Sequence, residues 1–244
     1  MKTIERERKV GDFYAVLHEC GGRSVNQDSI TLQRMVTRKG TVSLALLCDG
    51  MGGMDRGEIA SGYVAERIGI WFYDVLPKVL KGGYRAGTVS KALQRCLFRI
   101  HEDLREYGEE RGMRCGTTFT LLLIVEKRWQ LFHLGDSAAY RLGRCAKRIT
   151  YPHTGKGGLV HCIGIGRYHK PQERRGRWNN TGSFLLTSDG LQHYLKEQDL
   201  YHALNRERIG NRAQAEKALQ GLAKAAVRRG ESDNMSAVYL RCGK

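Results

Sequence analysis

"LLCDGMGGMDRGEIAS", residues 46–61, decides how the chain is read. An apolar run ends on a carboxylate, Asp49, and three of the next four residues are glycine: Gly50, Gly52 and Gly53. From Gly57 the pattern turns helical, with Ile59, Ala60, Tyr63, Val64, Ile68 and Trp71 spaced three or four apart. The stretch therefore predicts a strand, a tight glycine turn and a helix over 57–75, with an acid delivered at the strand end. Strand alternation sends the neighbouring Cys48 to the opposite face, into the core. Residues 185–192, "LLTSDGLQ", echo the arrangement: apolar strand, Asp189-Gly190, helix.

Working outward, residues 12–20 read as a strand. Residues 28–36 and 41–48 read as a hairpin joined by RKG at 38–40. A second helical pattern covers 88–107. Residues 115–143 read as a three-stranded meander broken at Glu126-Lys127 and Gly135-Asp136. Residues 151–181 read as irregular, Gly-rich and basic. A strand at 183–188, helices at 190–206 and 211–229, and a strand at 234–240 close the chain. Antiparallel strands with helices segregated between them predict an α+β fold, sheets with helices packed outside.

Five aspartates stand at strand junctions: Asp28, Asp49, Asp136, Asp189 and Asp233. Each alone reads as a turn or a helix cap. Together they suggest convergence. Convergent carboxylates repel and hold protons more tightly unless a cation sits among them. An all-oxygen set favours Mg²⁺ or Mn²⁺. The glycines beside Asp49 would let a backbone carbonyl and water approach the ion. Asp12 and Glu19 lack the glycine-flanked setting and read as surface acids.

The 244 residues are 41% hydrophobic with three prolines, which fits one domain over 1–244 with a real core. No apolar run approaches the roughly 20 residues that span a bilayer. The opening MKTIERERKVGDF has no secretory h-region, so a soluble, cytoplasmic protein is expected. Seven cysteines (20, 48, 96, 115, 145, 162 and 242) are an odd count without a CxxC pair, and read as reduced thiols. Net charge +16 draws the protein toward polyanions. Between Arg141 and Arg177 the only acid is Glu173 among ten bases, including Lys156, Arg174, Arg175 and Arg177.

The ordered motifs resemble the PPM (type 2C) family of metal-dependent protein phosphatases, in its compact bacterial form. They are Arg23-x-x-Asn26-Gln27-Asp28, Asp49-Gly50-Met51-Gly52-Gly53, Gly57-Glu58-x-Ala60-Ser61, Gly116-Thr117-Thr118, Gly135-Asp136-Ser137 with Arg141, Ser188-Asp189-Gly190, and Asp233-Asn234. The resemblance implies a β-sandwich of two antiparallel sheets flanked by helices, with a dinuclear Mn²⁺ or Mg²⁺ cleft at one edge. It implies that Asp49 bridges two ions. Asp189 and Asp233 would hold the first, and Asp28 and the Gly50 carbonyl the second, partly through water. Asp136 matches the residue linked to a weaker third ion. Arg23 matches the arginine that grips substrate phosphate. The implied reaction is hydrolysis of phosphoserine or phosphothreonine in proteins by a metal-bridging hydroxide, opposing a cognate Ser/Thr kinase.

Two departures stand out. Met51 replaces a histidine proposed as general acid in some members. Residues 149–166 replace the family's Thr-x-Asp-His-Ser stretch and longer flap, with Pro152 in the acid's place. This bears on specificity, and the basic segment carrying Arg174, Arg175 and Arg177 suggests a preference for acidic phosphosites. His153, His161 and His169 read as exposed or structural, since nothing in sequence pairs them with a carboxylate. Arg141 supports the Asp136 loop or the phosphate, or makes a structural ion pair. The rival readings are a phosphoprotein-binding pseudophosphatase and a basic nucleic-acid binder; the latter lacks a recognisable motif and stacking aromatics.

Overall fold

The computed structural model describes residues 13–38, 40–51, 56–155, 158–177, 182–205 and 207–241. The expectations for Asp12, Lys39, Gly52, Gly53, Lys156 and Cys242 lie outside these. The strands are β1 (Phe13–Glu19), β2 (Asp28–Thr37), β3 (Gly40–Asp49), β4 (Phe119–Val125), β5 (Arg128–Leu134), β6 (Ala138–Leu142), β7 (Ala146–Arg148), β8 (Thr154–Gly155), β9 (Gly158–Leu159), β10 (Gln172–Arg177), β11 (Ser183–Thr187) and β12 (Met235–Arg241). The helices are α1 (Gly57–Asp74), α2 (Leu76–Leu80), α3 (Ala86–Glu110), α4 (Asp189–Gln192), α5 (Glu197–Leu204) and α6 (Arg212–Arg228).

Two antiparallel five-stranded sheets form the centre, in the orders β10-β5-β4-β3-β2 and β1-β12-β11-β6-β7. Side-chain alternation divides each strand between two cores. In β3, Val42, Leu44, Leu46 and Cys48 pack under α1 and α3, while Ala45 and Leu47 join the layer between the sheets. In β12, Met235, Ala237 and Tyr239 face the α4–α6 side, and Val238 and Leu240 face the other sheet. The result is the expected sandwich, helices outside on both faces. Because the side-chain period is two, Asp49 follows Ala45 and Leu47 to the inter-sheet side. Asp28 follows Ile30 and Leu32 there, and Ser236 and Ser188 follow the same parity in the second sheet.

Three expectations need correction. Residues 115–143 are not a meander: β5 pairs with β4 and β10, and β6 pairs with β11 and β7 in the other sheet. The place beside β5 is taken by β10. Gly135, at φ 115°, lets the chain leave one sheet and enter the next. The segment 151–181 is not wholly irregular, since it holds the small β8–β9 pair and the edge strand β10. The helix expected over 190–206 is two helices. Lys196 is extended, and its N–H donates to the Asp199 side chain at 3.0 Å, so α5 starts afresh. Among the described residues no helix is long and apolar enough to cross a membrane. The six described cysteines are free thiols.

Candidate metal centre

One end of the sandwich collects the start of β2, the end of β3, the end of β5, the end of β11 and the start of β12. The five aspartates stand at that end. Asp28 and Asp49 are direct cross-strand partners. Asp49 is the last residue of β3, and Asp189 opens α4 after β11. Asp136 lies between β5 and β6, and Asp233 just before β12.

The neighbouring motif residues fix these positions. The Thr117 hydroxyl donates to the Asp49 carbonyl at 2.8 Å, and the Asp49 N–H donates to the Thr118 hydroxyl at 2.9 Å. Thr118 in turn bonds Ser137, beside Asp136, at 2.8 Å. Asn234 ties down the loop that carries Arg23. Its Oδ1 accepts from the Gln27 N–H, and its Nδ2 donates to the Cys20 and Val25 carbonyls. Ser61 donates to the Gln27 carbonyl at 2.6 Å, and Gln27 Nε2 donates to Glu58 at 3.1 Å, so α1 anchors the same loop.

Both Asp-Gly steps sit where a side chain has no room. A Cβ on Gly50 would lie 2.4 Å from the Gly57 carbonyl oxygen and 2.5 Å from that of Gln27. One on Gly190 would lie 2.2 Å from the Asn234 carbonyl oxygen. Glycine at 50 is thus required by packing between the strand end and the first turn of α1.

Electrostatically the cluster is frustrated. Burial first, then the charges of Asp28, Asp189 and Asp136 and a hydrogen bond with the Asp189 side chain, hold the Asp49 carboxyl well above the usual range. Asp28 is pushed up to about 6, chiefly by burial, with Asp189 and Asp233 adding to the rise and the Ser236 and Ser188 hydroxyls opposing it. Asp136 is raised by burial and Asp189. Asp28 is 5% exposed, and its Oδ2 has no hydrogen-bond partner. Among the described residues no three His, Cys, Asp or Glu side chains close on one point tightly enough to hold an ion as they stand. The donor set nevertheless suits a hard divalent cation: oxygen ligands, mutual repulsion and an orphaned buried carboxylate oxygen.

Arg23 stands at the rim and pairs with Asp233 at 2.9 Å, with its side chain 49% exposed. Arg141 pairs across β6 with Phe184 and Lys147, and lines a basic cavity with Arg144 at the far end of the sheet. Arg148, unremarked in the sequence, donates to the Asp136 carbonyl at 3.1 Å, and Gln192 Nε2 donates to the same oxygen at 2.9 Å. Sequence reading also missed Glu231, whose Oε1 accepts from the Ser232 and Asp233 N–H groups, and His193, which sits 3.5 Å from Asp189 and 3.2 Å from Glu231. The histidines form a column beside this edge. His133, His153, His161 and His169 have successive ring centroids 5.3, 5.1 and 3.8 Å apart. Within it, His153 Nδ1 accepts from the Gly135 N–H at 3.1 Å. Burial pushes His133 down to about 3, so the inner ring is neutral.

Comparison with known proteins agrees with this geometry. The chain is 27% identical over 221 residues to the serine/threonine protein phosphatase PstP of Mycobacterium tuberculosis, covering 80% of this chain and 39% of that protein. It therefore spans about two fifths of the length of that relative. Its fold matches the serine/threonine phosphatase Stp1 from Staphylococcus aureus with a TM-score of 0.79 at 23% identity, covering 97% of this chain and 98% of that one. It also matches the catalytic domain of PstP in complex with two manganese ions, with a TM-score of 0.74 at 24% identity, covering 94% and 97% of the two chains. Residues 19–226 match the family model for protein phosphatase 2C, and the chain belongs to that family.

Proposed function

We propose that the chain is a metal-dependent protein phosphatase acting on phosphoserine and phosphothreonine. The observation that carries this is the meeting of five aspartates from both sheets at one open end, with Asp28, Asp49 and Asp136 all driven toward the protonated form. Such a cluster gains most from divalent cations. When bound, two Mn²⁺ or Mg²⁺ ions supply a water acidic enough to attack phosphorus at neutral pH and offset charge on the phosphate. Manganese is the metal in the PstP structure.

Asp49, the cross-strand partner of Asp28, would be the residue shared between the ions. Asp189 and Asp233 would hold one ion, Asp28 and the Gly50 carbonyl would hold the other, and Asp136 would serve a third. Arg23 supplies a guanidinium at the rim, where phosphate oxygens would compete with Asp233 for it. Arg148, Gln192, Thr118 and Glu231 hold the backbone of the acidic loops in place. Met51 cannot donate a proton, so protonation of the leaving alkoxide falls to solvent at the open end.

Residues 1–244 are read as one such domain, closed by the pairing of β1 with β12. A cytoplasmic setting, phosphorylated protein substrates and an opposing Ser/Thr kinase complete the proposal. The test is Mn²⁺-dependent release of phosphate from a phosphothreonine peptide, with Asp189→Asn as control. Turnover lost in the variant and on chelation supports the reading. Phosphopeptide binding without turnover would make the chain a pseudophosphatase. Salt-sensitive retention of labelled nucleic acid, with no effect of phosphopeptide, would support the basic-binder reading.

A further inference from the structure

His193 caps α4 at its C-terminal end, and its ring stands between two carboxylates. Nδ1 is 3.2 Å from Glu231 Oε2, and Nε2 is 3.5 Å from Asp189 Oδ2. We propose that His193 and Glu231 form a positioning pair that presets the spacing of Asp189 and Asp233, and so sets how tightly the ion those two share is held. The proposal rests on the phosphatase reading for that ligand set, and gives a role to two residues outside its motifs.

Glu231 is the fixed point. It is 8% exposed, and both of its carboxylate oxygens are engaged. Oε1 accepts from the N–H groups of Ser232 at 2.8 Å and Asp233 at 2.7 Å, while Oε2 faces His193. The Glu231 N–H donates to the Ala226 carbonyl at 3.1 Å, which ties the residue to the last turn of α6. One oxygen therefore sets the backbone that carries Asp233, and the other sets the ring that faces Asp189. The two ligands also meet through Gly190. A Cβ there would lie 3.2 Å from the Asp233 Cβ, so the start of α4 rests on the Asp233 turn.

The His193 side chain is 52% exposed, so packing alone does not hold it. The carboxylates at its two nitrogens orient it instead. Carboxylates accept only, so the ring between them donates from both nitrogens. The 3.5 Å to Asp189 is long for a hydrogen bond and within ion-pair range. Asp189 and His193 are four residues apart, on one face of α4. A donor on one oxygen of Asp189 leaves the other oxygen for the ion. Partners of this kind around a ligating carboxylate fix its orientation.

The test is calorimetric titration of the whole chain with Mn²⁺, with turnover of a phosphothreonine peptide followed as Mn²⁺ is varied. His193→Ala should weaken Mn²⁺ binding at least about tenfold, the usual loss for an outer partner of a ligand. His193→Gln, whose amide can still donate to Asp189, should fall between this variant and the parent. Once Mn²⁺ saturates, KM for the peptide should match the parent, which a general loosening of the cleft would not give. Glu231→Gln should also bind Mn²⁺ more weakly. The double variant should lose no more than about twofold beyond the worse single one, since the pair acts as a unit. Should Glu231→Gln melt early, the two His193 variants carry the test alone. His202→Ala, at an exposed histidine on α5, should bind as the parent does. Parent-like Mn²⁺ affinity in His193→Ala overturns the proposal and leaves the phosphatase reading standing. Losses that simply multiply in the double variant do the same. Mn²⁺ uptake without turnover, still weakened in His193→Ala, would remove the phosphatase reading and support the pair. No Mn²⁺ uptake by the parent overturns both.

Discussion

Gly50 is pressed between two carbonyls, so its replacement tests how tightly the strand end is packed against α1. Gly50→Ala forces a Cβ to within 2.4 Å of the Gly57 oxygen. It should cost about 1–3 kcal/mol in urea unfolding, the range for overpacking a filled site. Asp28 offers a pH test. Its carboxyl, pushed up to about 6, lies above the ordinary aspartate value of 3.8, so the metal-free folded state binds the proton more tightly than the unfolded chain does. That contribution is fully present below about 3.8 and is lost as pH rises through about 6. Metal-free Asp28→Asn should therefore gain stability relative to the parent as pH goes from 4 to 7. Parallel stability–pH curves for the two proteins would contradict it.

The edge strand β10 runs antiparallel to β5, with Gln172 opposite His133 near the acidic edge and Arg177 opposite Arg128 at the far end. Arg174 and Arg177 are three residues apart, about 10 Å along the strand. If the basic strand selects acidic phosphosites, Arg174→Glu should raise KM for acidic phosphopeptides more than Arg177→Glu does, with kcat little changed. Equal effects would mean general attraction to a basic surface. Legibility followed contact range. The β2–β3 hairpin and α1 were readable from 28–75 because their signals are local: alternation, then helical spacing. The two-sheet placement of β5 and β6 was not, because it depends on β10 having claimed the edge of β5. The five acids were visible as strand-end residues, and the structure brings all five to one end. The grip of Arg148 on the Asp136 loop was hidden, since nothing in sequence distinguishes it from Arg141 seven residues earlier. The histidine column was equally hidden, its rings coming from positions 133, 153, 161 and 169.

At the scale of the molecule, the centre joins the two sheets, so its occupancy should brace the whole sandwich. Mn²⁺ at 100 times its Kd should add about 2.7 kcal/mol of stability by mass action, and chelation should remove it. The gain should shrink in acid, where protons compete for Asp28, Asp49 and Asp136. A melting temperature indifferent to Mn²⁺ at neutral pH would count against an ion bridging the sheets. The position of β12 has a further consequence. This last described strand lies between β1 and β11, so β1 stays detached from the second sheet until it arrives. During synthesis a ribosome would hold β1, the earliest described strand, waiting for a neighbour more than 200 residues downstream. Such long-range closure slows folding and exposes unpaired strands meanwhile. Asp233 joins the other acids only at that final step, so a nascent chain stalled before residue 233 would carry a nearly complete fold and no assembled centre.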